Sequence, residues 1–476
     1  MLQTNIHLSY IQPICQVVRY QYQGLEMNKL RNGAILIALS LISFGVMAAD
    51  EKPQQTLITN VNVFDGFADQ LAMNTDVLIE GNHIIEVGQN LSAEGATVID
   101  GGGRTLTPGL IDMHTHVTFE TPAGTEGFNQ YDFGAAGAMA AQVLRDNMLM
   151  KGITTGRDLV GNSRGIAKLI QQGHLIGARL YTSGGVMSPT GGHGDWGSPT
   201  DTVRNLDYGA MVEQSYIIEG RDSVIAASRR NFRNGAHFTK IMAGGGVSSL
   251  YDPLEIYAAT QEEVEAAVEI ANDYGTYVAI HAYHDGSYKR SLDAGVRSFE
   301  HGFLVTEPTV KRMAKMDQDI VWSFQCFMSV ATFGDYDAMP DFFTHEQKVK
   351  GVAVGKGARN AAALMLKHDV FMIGGSDMFT PAFGPRMKED ITCRTNMVGY
   401  PAAHALKMST GNAGIVLKWS NVLDPYPTYD LGTIRPNAYA DILLWDGNPL
   451  ENIDLILDES KLSFIMKDGE VYKNTL

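Results

Sequence analysis

The chain has 476 residues, of which 45% are hydrophobic and 19% charged, so it can build a full globular core. Its formal net charge of −16 excludes a protein that binds nucleic-acid phosphates, or docks on a membrane, through a basic face. Three cysteines are too few for a disulfide scaffold or a cysteine-based zinc finger.

The first 48 residues are predicted to be a leader with a bacterial-type signal peptide. A basic start at Met27–Arg31 is followed by an apolar run at Ala34–Val46 and by small residues up to Ala48. The run is shorter than the roughly 20 residues of a membrane-spanning helix. We expect translation to start at Met27 and the mature protein to be periplasmic or secreted, without stable membrane insertion. The alternative is an uncleaved N-terminal anchor.

Both ends of the mature chain have β-strand patterns. Short alternating or apolar runs are separated by turn signals, including an Asp-Gly pair near the C-terminus. These runs are Ile58–Val63, Val77–Ile85, Asp441–Trp445 and Phe464–Tyr472. We therefore expect residues 49–108 and 428–476 to form one small β-sandwich.

The middle of the chain, residues 109–427, alternates apolar strand candidates with helical segments such as Gln261–Tyr274 and Glu346–Lys367. Such alternation predicts parallel βαβ units, and eight of them favour a (β/α)8 TIM barrel. The eight candidate strands are Gly109–Val117, Ile153–Leu159, Ala178–Gly184, His237–Ala243, Tyr277–Tyr283, Arg297–His301, Asp319–Phe324 and Val370–Asp377. The predicted fold class is thus α/β, a barrel with a sandwich built from both chain ends.

Polar side chains stand at the ends of the predicted barrel strands, where the chemistry of such barrels takes place. The first strand ends with His114 and His116. Side chains alternate along a strand, so these two imidazoles point to the same side and can chelate one divalent ion.

Four later positions extend this set: Lys240, His281, His301 and Asp377. Mixed nitrogen and oxygen ligands favour zinc first, with manganese, cobalt or iron as alternatives. Lys240 lies in an apolar strand, where an ammonium group is costly unless it is paired or neutralised. Two interpretations stay open: the amine extends to water at the strand end, or it has reacted with CO2 to form an anionic carbamate.

Two cysteines, Cys326 and Cys393, remain after removal of the leader. In an oxidising compartment they can pair. The alternative is that both are unpaired small core residues, and their spacing does not decide between the two.

Several segments of the chain form a specific set of motifs. They are Thr107–His116, Gly152–Asp158, Thr190–Asp195, Lys240–Gly246, His281–Tyr283, Glu300–Gly302, Gly375–Asp377 and Ala440–Pro449. With these motifs the mature chain resembles the metal-dependent amidohydrolase superfamily. The similarity is to the branch of imidazolonepropionase-like proteins and secreted Xaa-Pro-type dipeptidases. The resemblance implies a distorted (β/α)8 barrel with a small β-sandwich from both termini.

The resemblance also implies a role for each site residue and two bound divalent metal ions. In the implied arrangement His114 and His116 bind one metal, and Asp377 ligates the same metal and transfers protons. His281 and His301 bind the second metal, and a CO2-derived carbamate on Lys240 bridges both. His193 and Tyr283 contact the scissile carbonyl oxygen or the substrate carboxylate.

The implied activity is hydrolysis of amide C–N bonds by a metal-bridged hydroxide. We expect an exported dipeptidase or carboxypeptidase that acts on small dipeptides or N-acyl amino acids. The sequence leaves open whether the protein forms a homo-oligomer. The first alternative is an imidazolonepropionase-like cyclic amidohydrolase or another acyl hydrolase. The second is a catalytically silent binding protein on the same fold, although such proteins lose metal ligands and this chain keeps all six. A nucleic-acid partner is not expected.

Overall fold

The computed structural model describes residues 54–119, 133–197, 200, 208–378 and 386–476. The predicted leader lies outside these residues. Residues 54–476 cluster as one unit, so the predicted boundaries at 108 and 428 stay a prediction.

Strands from both ends of the chain lie in one eight-stranded sheet. They are β1 Gln55–Val63, β2 Ala72–Glu80, β3 His83–Gly88, β4 Thr97–Asp100, β5 Thr105–Pro108, β16 Ile442–Trp445, β17 Leu462–Lys467 and β18 Glu470–Asn474. Their order in the sheet is β18-β17-β16-β5-β1-β2-β3, with β4 beside β1. Antiparallel pairing of β5 with β16 joins the two ends, and Thr105 lies opposite Trp445.

The predicted C-terminal hairpin is confirmed as β17 and β18. Its turn residues Asp468 and Gly469 have φ angles of 54° and 74°. Two consecutive positive φ angles are what a type I′ hairpin turn requires, and Asp-Gly is a favoured pair for it. The turn therefore sets the register that buries Phe464 in the core of this sheet.

All eight predicted barrel strands are present in the middle of the chain. Their bounds are β6 Leu110–Thr115, β7 Ile153–Asp158, β8 Arg179–Thr182, β11 Thr239–Met242, β12 Val278–His284, β13 Ser298–Leu304, β14 Val321–Phe324 and β15 Met372–Gly374. Parallel pairing runs from β6 to β8 and from β11 to β15. The His237 N–H donates to the Thr182 carbonyl at 2.8 Å, and the Asp377 N–H donates to the His114 carbonyl at 2.8 Å. These bonds connect the two strand groups at both seams, which gives the distorted barrel.

Two further short strands, β9 Val186–Pro189 and β10 Ser215–Ile218, were not predicted. β8 pairs with β7, whereas β9 pairs with β11. Gly184, with a φ angle of 71°, lies between β8 and β9. The two segments therefore act as one barrel strand with a sharp bend, a conformation for which glycine has no steric penalty.

Helices lie between the strands and pack on the outside of the barrel. Their bounds are α1 Phe133–Gln142, α2 Arg164–Gln171, α3 Tyr208–Met211, α4 Arg221–Arg233, α5 Gln261–Asp273, α6 Asp285–Asp293, α7 Glu307–Ala314, α8 His345–Lys367, α9 Glu389–Asn396, α10 Ala402–Lys407 and α11 Gly411–Leu417. The two predicted helices, α5 and α8, both begin with a capping box, at Thr260 and Thr344. No helix in the described part of the chain is long and apolar enough to cross a membrane.

Cys326 and Cys393 form a disulfide, with their Cα atoms 5.8 Å apart. This outcome decides between the two open interpretations in favour of pairing. The bond joins the segment after β14 to α9, and both cysteines are buried.

Candidate active site

Three predicted metal ligands meet where β6 and β15 end. Asp377 Oδ1 lies 3.0 Å from His116 Nε2 and 3.3 Å from His114 Nε2. One ligand atom from each residue lies within 4.8 Å of the other two. Asp112 holds the two strand ends together, because its Oδ1 accepts the N–H groups of His114 and Ser376 at 3.1 and 3.0 Å.

The other two predicted histidine ligands extend this cluster. The His301 ring centroid lies 5.0 Å from that of His114 and 4.5 Å from that of His281. Burial lowers the pKa of His114 to about 4 and lowers the pKa values of His281 and His301 well below the usual range. These imidazoles are therefore neutral near pH 7, which is the form that coordinates a metal.

Lys240 is 1% exposed on β11. This burial excludes the interpretation in which the amine reaches bulk water. Burial also lowers the pKa of Lys240 to about 8, against the opposing effect of the negative charges on Glu300 and Asp377. A substantial fraction of this amine is thus neutral under mildly alkaline conditions.

Two of the candidate ligands have strained backbone conformations. His301 and Asp377 have φ angles of 69° and 56°. Non-glycine residues adopt this left-handed region only at a cost, and such strain concentrates at functional sites. Burial alone would raise the pKa of Asp377, but the adjacent histidines outweigh it and hold the pKa well below its usual range. Asp377 is therefore a carboxylate that can ligate a cation.

A buried ion pair beneath His114 was not predicted from the sequence. Glu300 Oε2 lies 2.9 Å from His114 Nδ1, and Glu300 Oε1 accepts a 2.7 Å bond from Arg157. The side chains of Glu300 and Arg157 are fully buried. With Nδ1 of His114 occupied in this way, its Nε2 is the atom directed at Asp377. Arg157 and Glu300 both lie in motifs that the sequence singled out, but nothing in the pattern assigned them to His114.

The two predicted substrate residues border the histidine cluster. The His193 ring stacks on His281 with centroids 4.1 Å apart. The Tyr283 ring centroid lies 5.0 Å from that of His281 and 5.2 Å from that of His301. Lys240 is close enough to interact electrostatically with His114, His281 and His301. All eight sequence-predicted site residues therefore lie around one barrel mouth, and the roles assigned to them stay predictions.

An aromatic wall flanks the first pair of histidines. The Phe119 ring packs edge-on against the His116 ring, with the ring centroids 5.7 Å apart, and the Trp196 and Phe119 ring centroids are 5.2 Å apart. Both aromatic side chains pack on the buried Val160, Val186 and Met242. This side of the site is therefore lined by apolar side chains.

The residues fit a divalent metal centre. Nδ1 of His116 and Nδ1 of His301 are buried without a hydrogen-bond partner among the described residues. Unpaired buried polar atoms are costly unless a further group satisfies them. The set of imidazoles and one carboxylate is the mixed nitrogen and oxygen donor set that zinc and similar ions take.

Comparison with known proteins identifies the family. Residues 105–473 match the amidohydrolase family. An ochratoxinase from Aspergillus niger is 26% identical over 382 residues, which is 77% of this chain and 75% of the relative. A prolidase crystallised with N-methylphosphonate-L-proline is 28% identical, with a TM-score of 0.78 over 89% of this chain and 100% of that one. A Xaa-Pro dipeptidase with methionine bound in its active site is 26% identical, with a TM-score of 0.76 over 88% of this chain and 100% of that one. The chain belongs to the amidohydrolase family and is a hydrolase that acts on carbon–nitrogen bonds.

Proposed function

We propose that this protein is an exported, metal-dependent dipeptidase or carboxypeptidase that releases a C-terminal amino acid from dipeptides or N-acyl amino acids. The observation that carries the proposal is the closed cluster of His114, His116 and Asp377, with His281 and His301 against it. The similarity to a prolidase and to a Xaa-Pro dipeptidase supports a peptide substrate, and the similarity to ochratoxinase supports amide hydrolysis more broadly.

Two divalent ions, with zinc the first choice, would be held by His114, His116 and Asp377 on one side and by His281 and His301 on the other. When bound, such ions polarise an amide carbonyl and lower the pKa of water. Asp377 then takes up a proton from the attacking water and delivers it to the leaving nitrogen.

The remaining residues act on the substrate or between the metal ions. The ring nitrogen of His193 and the hydroxyl of Tyr283 are the donors for the carbonyl oxygen or the substrate carboxylate, since both rings border the histidine cluster. Lys240, as a carbamate, would supply anionic oxygens between the two metals. Its low pKa supports this modification, because only a neutral amine reacts with CO2.

The test is a substrate panel assayed with zinc-loaded mature protein. Dipeptides, Xaa-Pro dipeptides among them, and N-acyl amino acids are each incubated with and without a chelator, and free amino acid is measured. We expect hydrolysis of a subset that the chelator abolishes. Asp377→Asn should lose nearly all turnover while most of its metal stays bound, and Lys240→Ala should lose metal and turnover together. Hydrolysis of no panel member would overturn the peptidase proposal.

Export rests on the signal-like pattern of the leader and is supported by the buried Cys326–Cys393 disulfide, since such bonds persist in oxidising compartments. Fractionation of cells that produce the full chain tests this part. We expect the processed protein in the periplasm or medium, and retention of the unprocessed chain in the cytoplasm would contradict export.

A further inference from the structure

One edge of the His193 ring is held by the loop that follows β11. His193 Nδ1 lies 2.6 Å from Ser249 Oγ and 3.6 Å from Asp252 Oδ2. A face of the ring stacks on His281, with an interplanar angle of 15°. The ring is thus fixed both in its plane and in the direction of Nδ1.

Asp252 is a buried carboxylate with incomplete hydrogen bonding. Its side chain has no exposure, and its Oδ2 accepts the Gly246 N–H at 2.6 Å. Its Oδ1 has no hydrogen-bond partner among the residues that the structure describes. Burial acts to raise the pKa of this carboxyl, but the adjacent His193 and Ser249 outweigh it and lower the pKa. A buried charge of this kind is costly, so its position beside an imidazole indicates a use.

The loop backbone is shaped to receive the His193 ring. A Cβ atom on Gly246 would lie 1.8 Å from His193 Nδ1. No side chain fits in that space, so glycine is required for the ring to pack directly against the backbone. This explains the third glycine of the Gly244–Gly246 run.

Helix α8 anchors the loop from the opposite side. Lys350 Nζ donates to the carbonyl oxygens of Gly246, Ser249 and Asp252 at 2.6, 2.8 and 3.2 Å. Gln347, one turn earlier, donates to a further carbonyl of the loop at 2.5 Å. Three carbonyls bound to one ammonium group give a rigid loop, because all three donors of the lysine are used.

We propose that Ser249 and Asp252 are positioning residues for His193, and that Lys350 holds them in place. The Ser249 hydroxyl donates to Nδ1, and Asp252 holds the adjacent backbone through the Gly246 N–H. The ring hydrogen then lies on Nε2, which is the atom presented to the substrate carbonyl oxygen. This inference rests on the proposed amide hydrolysis and deepens it by adding a positioning device. The geometry acts on the transition state rather than on substrate affinity, because a donor that is misplaced by even 1 Å loses most of its effect there.

The kinetic test is a double-mutant cycle with whichever panel substrate is hydrolysed. Asp252→Asn should lower kcat by about 10- to 100-fold, while KM and metal content stay near the wild-type values. In the His193→Ala background the same substitution should cause no further loss, since residues that act through one another are not additive. The exposed Asp273→Asn is the matched control. An equal loss in both backgrounds, or an unchanged kcat in the single variant, would overturn the proposal.

Lys350 offers a second variant in which the carboxylate itself is untouched. Lys350→Met should lower kcat in the wild type but not in the His193→Ala background. Lys356→Met, at an exposed position on the same helix, should have no effect. A Lys350→Met enzyme with wild-type kcat would refute the anchoring role.

A measurement without substrate separates this inference from the proposed function. NMR spectra are recorded of protein labelled with 15N at its histidines, and the His193 signals are assigned as those missing from the spectrum of His193→Ala. The His193 signals should indicate one fixed tautomer in the wild type and exchange between tautomers in Asp252→Asn. Identical His193 signals in the two proteins would overturn the positioning role. A substrate panel without turnover would instead overturn only the peptidase proposal.

Discussion

Replacing Glu300 with glutamine tests the support of the candidate metal site without changing any candidate ligand. The carboxylate pairs with Arg157 at 2.7 Å and with His114 Nδ1 at 2.9 Å, and none of these side chains is more than 1% exposed. Glutamine preserves the size of the side chain but removes the charge, which leaves the Arg157 guanidinium buried without a counter-ion. Breaking a buried pair in this way costs about 3–5 kcal/mol of unfolding free energy. Loss of the acceptor for a metal-binding histidine lowers metal affinity by about 10- to 100-fold.

Two measurements check these values. Denaturant unfolding of metal-free protein gives the change in stability, and competition with a chelator gives the metal affinity. Glu307→Gln is the matched control, because Glu307 pairs with Lys367 and His368 at 2.9 and 2.7 Å but is 36% exposed. Surface pairs contribute about 0–1 kcal/mol. If Glu300→Gln is no more destabilising than Glu307→Gln, the buried pair does not support the site as reasoned.

A double variant distinguishes the two effects of Glu300. Arg157→Met combined with Glu300→Gln removes the unpaired cation, so part of the lost stability should return. Metal affinity should not return, since His114 Nδ1 still lacks its carboxylate. Recovery of both quantities together would mean that the weaker metal binding is only a consequence of a less stable fold.

Three further predictions concern other parts of the molecule. Reduction of the Cys326–Cys393 disulfide, which spans 67 residues, should lower the unfolding free energy by about 4 kcal/mol, and equal denaturation midpoints with and without reductant would contradict this. Burial lowers the pKa of His237 from 6.5 to about 4, so only the unfolded chain binds this proton as the pH falls from 6.5 towards 4. Stability should drop by about 2 kcal/mol over that range after allowance for the partial exposure of His237, and His237→Gln should lack this drop. Gly246→Ala should displace His193, because the added Cβ would lie 1.8 Å from its Nδ1, and kcat of the loaded enzyme should fall more than KM changes.

The barrel and the meeting of the candidate metal ligands at one mouth could be predicted because their signals are local. Strand alternation places His114 and His116 on one side, and eight apolar runs between helices predict the barrel. The bend between β8 and β9 could not be predicted in this way. It depends on one glycine conformation and on two different pairing partners, neither of which has a periodic signature.

The supporting residues escaped prediction for a more specific reason, which β13 illustrates. Glu300 and His301 are neighbours in one strand, and regular alternation would send their side chains to opposite faces. Both nevertheless approach His114, Glu300 through a 2.9 Å bond and His301 through rings 5.0 Å apart. The left-handed backbone of His301, with a φ angle of 69°, breaks the alternation and makes this convergence possible. The strained residue thus lets one strand supply both a candidate metal ligand and the carboxylate that orients another ligand. A substitution that relaxed this backbone would separate the two functions even if both side chains were kept.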